Sequence, residues 1–139
     1  MKIEKIDNSR LATTAKELRA LAASDADWIV RSSDDLRQLR AAGNNAIAKL
    51  PRTDFEAFVG SLKFANGGVA GGCYKPLMST LMLSEIFEVF AHFGISAGLL
   101  AGQTERNGSC QECECDESWK CSFEFWSFCS SLCAGGGGV

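Results

Sequence analysis

Sulfur is concentrated near one end of this chain. Six of the seven cysteines lie in the 24 residues from Cys110 to Cys133, and the seventh is Cys73. Burial as small hydrophobes accounts for the last three cysteines, which stand among Phe and Trp residues. It does not account for the C-x-x-C-x-C motif, because the surrounding stretch 107–117 is polar. The motif therefore indicates metal binding, disulfide bonding or chemical modification.

Length and charge exclude several classes of protein. The chain has 139 residues, of which 46% are apolar, enough for one domain with a hydrophobic core. The net charge of −3 argues against a basic nucleic-acid-binding surface. His92 is the only histidine, which removes most hydrolase mechanisms that use histidine as a base. On an apolar helix beside Glu88, His92 is expected to be a packed residue rather than a ligand or base.

Apolar residues recur at helical spacing along the first two thirds of the chain. Ser33 is a predicted N-cap, Gly43 a predicted stop, and Thr53 with Glu56 forms a predicted capping box. No alternation of period two extends over any length, so the fold class predicted is all-α. We expect a small helical bundle with a cysteine-rich, partly helical C-terminal tail. The predicted helical segments are 9–23, 33–43, 45–50, 53–66, 84–93 and 96–101.

Charge and composition divide the chain into parts. Residues 1–75 carry +3 and residues 76–139 carry −6. The predicted division is a helical recognition part at 1–66, a glycine-rich joint at 67–75, an apolar helix at 76–102 and a cysteine-rich tail at 103–139. Glu85 and Glu88 make a membrane span costly, so the apolar helix is expected to be buried or interfacial.

Paired glycines mark the joint. Gly-Gly pairs are common helix stops and hinges, and they also let a backbone enter a protease cleft in extended form. The joint therefore suits a cut after Gly68 or after Gly72. Gly71 and Gly72 are the predicted cleavage site, and a cut after Gly72 would make Cys73 a new N-terminus.

Three interpretations of the tail stay open. Zn²⁺ or Cu(I) could be held by Cys110, Cys113, Cys115 and Cys121, although the acidic neighbours of these cysteines disfavour the thiolate form. Alternatively, six cysteines could form three disulfides, which would leave Cys73 over. The third interpretation is enzymatic modification, with these target residues: Cys110, Cys113, Cys115, Cys121, Cys129 and Cys133.

In its layout the chain resembles precursors of ribosomally synthesised, post-translationally modified peptides (RiPPs). The resemblance depends on the helical N-terminal part, the glycine pairs and the cysteine-rich end, and it is one of architecture only. It implies a non-enzymatic substrate that a maturase or protease recognises through the helical half. The alternatives are a small Zn- or Cu-binding protein and a secreted antimicrobial or membrane-active peptide.

Charge and the N-terminal sequence predict the partners and the compartment. No nucleic acid is expected as a partner, and membrane contact is not favoured, because the aromatic tail is acidic. The first residues contain lysines but no apolar stretch behind them. We therefore expect a cytoplasmic protein as synthesised, with the C-terminal product as the part that would be exported.

Overall fold

Six α-helices and a three-stranded antiparallel sheet form the part of the chain that the computed structural model describes, residues 1–104, 127–130 and 132. Short 3₁₀ turns precede α1 and α3, at Asn8–Arg10 and Ile47–Lys49. The helices are α1 (Ala15–Ala23), α2 (Ser33–Ala42), α3 (Arg52–Ser61), α4 (Lys75–Met78), α5 (Leu83–Ala91) and α6 (Ala97–Thr104). The strands are β1 (Lys63–Ala65), β2 (Gly68–Cys73) and β3 (Ser127–Cys129), in the order β1-β2-β3.

The sheet shows that the prediction of an all-α fold is wrong. Helix α3 ends at Ser61, and a hairpin follows in which Phe64 is opposite Val69. Its two-residue turn is Asn66-Gly67, with φ of 54° and 94°. Positive φ at both positions is what a type I′ turn requires, and Asn-Gly is its preferred sequence. Asn66 and Gly67, which were expected at the end of a helix, therefore reverse the chain direction between β1 and β2.

The glycine-rich stretch, predicted as a joint, forms the middle strand of the sheet. Residues 68–72 of β2 are buried. A Cβ on Gly72 would stand 2.5 Å from Leu62 Cδ2 and 3.3 Å from Phe128 Cε1, and one on Gly68 would stand 2.8 Å from Leu132 Cδ1. Glycine occurs here because neighbouring side chains pack directly on the strand backbone.

One helix end matches its sequence signal, whereas the predicted capping box of Thr53 and Glu56 is wrong, because α3 begins at Arg52 and has no side-chain cap. Gly43 follows α2 as predicted, while the N-cap is Ser32, whose hydroxyl accepts a hydrogen bond from the Asp35 N–H, rather than Ser33. The predicted apolar helix at 76–102 is instead divided among α4, α5 and α6. Among the described residues, no helix has the length and hydropathy needed to span a membrane.

Aromatic rings form the centre of one hydrophobic core. Phe93 of the α5–α6 connection packs on Phe58 of α3 at 6.2 Å and edge-on against Phe90 of α5 at 5.3 Å, measured between ring centroids. Phe90 in turn meets Phe128 of β3 at 4.7 Å, with the ring planes at 85°. The core thus includes side chains from both sides of the segment 105–126.

Candidate functional site

Strand β3 returns the C-terminal part of the chain to the folded body. It pairs with β2 in the register Gly71 opposite Cys129 and Cys73 opposite Ser127. The side chain of Phe128, between these positions, has an exposed fraction of 0%. Burying a phenylalanine side chain contributes roughly 1.5–3 kcal/mol, so this contact holds β3 on the sheet.

Hydrogen bonds extend this attachment beyond the strand. The Ser130 N–H donates to the Ala70 carbonyl at 2.7 Å, and the Ser130 hydroxyl donates to the Val69 carbonyl at 2.9 Å. The Asn66 amide donates to the Leu132 carbonyl at 2.5 Å. Leu132 itself is only 2% exposed. Backbone and side-chain contacts together place residues 127–130 and 132 in the same unit as β2.

The predicted modification and metal residues are therefore divided by the structure. Cys110, Cys113, Cys115, Cys121 and Cys133 lie outside the described residues, and Cys129 is placed through its backbone in β3. The 22 residues 105–126 contain four of the cysteines and carry six acidic and two basic residues. Helix α6 ends at Thr104 and β3 begins at Ser127, so both ends of this segment join the described body.

Cys73, at the end of β2, is disulfide-bonded. Its N–H donates to the Ser61 hydroxyl at 3.0 Å, and that hydroxyl donates to the Phe58 carbonyl at 2.8 Å. The prediction that Cys73 would be left over is wrong.

The predicted cleavage site lies within β2. Gly71 and Gly72 are both buried, and both pair with β3. A protease binds an extended and accessible backbone, so a cut at this position requires β2 to leave the sheet first. Cleavage here stays a prediction, and it applies only to an opened form of the protein.

A groove on another face was not predicted from the sequence. Its cavity volume is about 1370 Å³, and it lies between the N-terminal residues 3–8, the C-terminal end of α2, helix α5 and the start of α6. Apolar side chains in its lining include Ile6, Leu11, Leu39 and Phe87. We call this feature the α2/α5 groove.

His92 lines the α2/α5 groove and is 6% exposed. Burial lowers the pKa of His92 below its ordinary value of 6.5, while the charge of Glu88 opposes this shift. Among the described residues, His92 Nδ1 has no hydrogen-bond partner. The Glu88 carboxylate instead accepts the Ala46 N–H at 3.0 Å. The sequence signal for this site was the Glu88–His92 spacing, which also fits an ordinary helix pair.

Metal binding finds no support among residues 1–104 and the described C-terminal positions, where no group of three or more His, Cys, Asp or Glu side chains could hold an ion. No protein family matches this chain, and neither a curated protein nor a solved structure is similar to it.

Proposed function

We propose that this protein is a non-enzymatic substrate whose cysteine-rich part is bridged or otherwise modified after synthesis. The folded body presents this part to the modifying enzyme. The proposed targets are the six clustered cysteines: Cys110, Cys113, Cys115, Cys121, Cys129 and Cys133. This proposal keeps the role implied by the resemblance to RiPP precursors, without removal of a leader from the folded protein.

One observation carries the proposal: the segment 105–126 is joined to the folded body at both ends. Fixing the two ends restricts the distance that any cysteine of the segment can reach from the body, which raises its effective concentration at a docked enzyme. Several cysteines can then pass through one active site while the substrate stays bound. The buried Phe128 and the Ser130 hydrogen bonds hold the C-terminal end in place.

The disulfide at Cys73 supports bridging as one of the modifications. We assign the partner of Cys73 to the cysteine-rich part, because every other cysteine of the sequence lies at 110–133. Oxidation would then stabilise the attachment that β3 makes to β2. In a chain-entropy account, a disulfide that closes a loop of tens of residues contributes about 3–4 kcal/mol. Oxidised protein would then keep β3 in place more firmly than reduced protein.

Intact mass spectrometry of the protein from its native host, with and without thiol alkylation, tests the proposal. We expect fewer than the seven alkylatable thiols that the sequence contains. Reduction of disulfide bridges would restore all seven thiols. Other modifications would leave a difference from the mass of the unmodified chain even after reduction. Fragmentation should place the altered sulfurs at 110–133 and, for the disulfide, also at Cys73.

Two results would contradict the proposal. One is an unaltered 14.9 kDa chain in which all seven thiols react before reduction. The other is stoichiometric Zn or Cu in the purified protein, with every thiol free after chelation, which would favour the metal-binding alternative.

A further inference from the structure

The α2/α5 groove is too large for an ordinary small-molecule site. Such pockets enclose about 300–1,000 Å³, and this cavity holds about 1370 Å³. We propose that the groove binds a basic, apolar peptide segment of the enzyme that modifies the cysteine-rich part. The inference depends on the proposed function and names the surface through which recognition takes place.

The apolar lining supplies the first part of the argument. Ile6, Leu11 and Phe87 are half-buried side chains that face the groove from three separate parts of the fold. Leu39 is buried beneath them. Apolar side chains of a peptide would cover the exposed parts of this lining, as anchors do when an amphipathic helix enters a groove.

His92 supplies a polar contact within this apolar surface. Its Nδ1 is enclosed and has no partner among the described residues, and a buried N–H without an acceptor is more costly than a buried nitrogen lone pair without a donor. We therefore assign the proton of the neutral ring to Nε2. This tautomer leaves Nε2–H as the donor for a ligand, and a peptide carbonyl is the matching acceptor.

The carboxylates that line the groove indicate the charge that its partner should carry. Among the described residues, the charged side chains that line the groove are those of Glu4, Asp7, Glu88 and Lys5. Glu4 already pairs with Arg10 at 3.0 Å. Asp7 and Glu88 each accept a backbone N–H, and the Ser9 N–H lowers the pKa of Asp7, so Asp7 stays ionised at neutral pH. A lysine- or arginine-containing segment complements these charges, whereas an acidic one is repelled.

A peptide pair provides the binding test. The probe is an amphipathic peptide of about 12 residues with leucines at helical spacing and lysines between them, and its match has glutamates in place of the lysines. His92 is the only histidine, so its imidazole NMR signals report on the groove without ambiguity. We expect a saturable shift of these signals with the lysine peptide and binding at least about tenfold weaker with the glutamate peptide.

Two tryptophan variants make the test specific to the groove. Ala42 lines the groove at the end of α2, and Ala41 is also exposed on the same helix but is not among the lining residues. Ala42→Trp should weaken peptide binding about tenfold or more, while Ala41→Trp should change it less than about twofold. Glu88→Gln keeps an acceptor for the Ala46 N–H and should weaken binding by about threefold through lost charge.

The outcomes separate this inference from the proposed function. Equal binding of the two peptides, or equal behaviour of the two tryptophan variants, overturns the groove proposal. A His92 shift that depends on protein concentration without peptide also overturns it, because a second copy is then the occupant. Modified cysteines in a protein whose groove binds no peptide would leave the proposed function standing. Unmodified cysteines with intact groove binding would contradict the proposed function alone.

Discussion

At the scale of single residues, Arg31 joins two distant parts of the body. Its guanidinium donates to the Ala22 carbonyl at 2.7 Å and to the Gly67 carbonyl at 2.8 Å. It also donates to the carbonyls of Ser24 and Ala26, just after α1. The end of α1 and the β1–β2 turn are therefore held by one side chain. Because one side chain makes these contacts, the β1–β2 turn should be sensitive to substitutions that displace its backbone.

Gly67→Ala should destabilise the protein. The substitution places a methyl group at a φ of +94°, with its Cβ 2.5 Å from the Ala22 carbonyl oxygen. Strain at such a position costs about 1–3 kcal/mol. The matched control is Gly60→Ala in α3, where no atom lies within 4 Å of the added Cβ. That change should stabilise the helix by up to about 1 kcal/mol. Urea unfolding measures both, and similar effects of the two variants would contradict the turn geometry.

His92 predicts a pH dependence of stability. Because burial lowers the His92 pKa in the folded state below 6.5, the unfolded chain binds this proton first as the pH falls. The unfolded state then holds more protons, so the free energy of unfolding decreases with falling pH from about 6.5 to the folded-state pKa. Glu88 is the carboxylate whose charge opposes the shift.

Comparison of wild type with His92→Gln isolates this effect. Between pH 7 and pH 5 the wild type should lose more stability than the variant, in denaturant titrations at fixed ionic strength. An NMR titration of the imidazole should give a pKa below 6.5. A pKa at or above that value, or equal losses for both proteins, would contradict the burial of this side chain.

At the scale of elements, helices were more predictable than strands. The stop signal at Gly43 is local, and the structure ends α2 there. Apolar periodicity is also a property of contiguous sequence, and the periodic segments 53–61 and 84–91 lie within α3 and α5. Strand β1 has only three residues, and β2 contains three glycines, so neither shows alternation. The Asn66-Gly67 turn was the one local signal for the hairpin, and it was interpreted as a helix stop.

Strand β3 could not be predicted from local sequence. Its three residues pair with β2, more than 50 positions earlier in the chain, and its place depends on the contact of Phe128 with Phe90. The same holds for the candidate site. Cysteine clustering was visible in the sequence, whereas attachment of both ends of 105–126 depends on tertiary packing. The α2/α5 groove likewise depends on four separate parts of the chain that together form its lining.

At the scale of the whole molecule, one hydrophobic core includes residues from all four parts into which the sequence was divided. Phe58, Phe90 and Phe128 come from α3, α5 and β3, and all three are buried in the same cluster. The central claim is that the folded body includes residues 127–130 and 132, so that the segment 105–126 is joined to it at both ends.

Amide hydrogen exchange tests this claim most directly. The Ser130 N–H donates to the Ala70 carbonyl, and the Val30 N–H donates to the His92 carbonyl in the interior of the body. We predict that the Ser130 amide exchanges within about tenfold of the Val30 amide, because both open through the same cooperative unit. Exchange of Ser130 at the rate of an unstructured peptide, while Val30 stays protected, would contradict the claim.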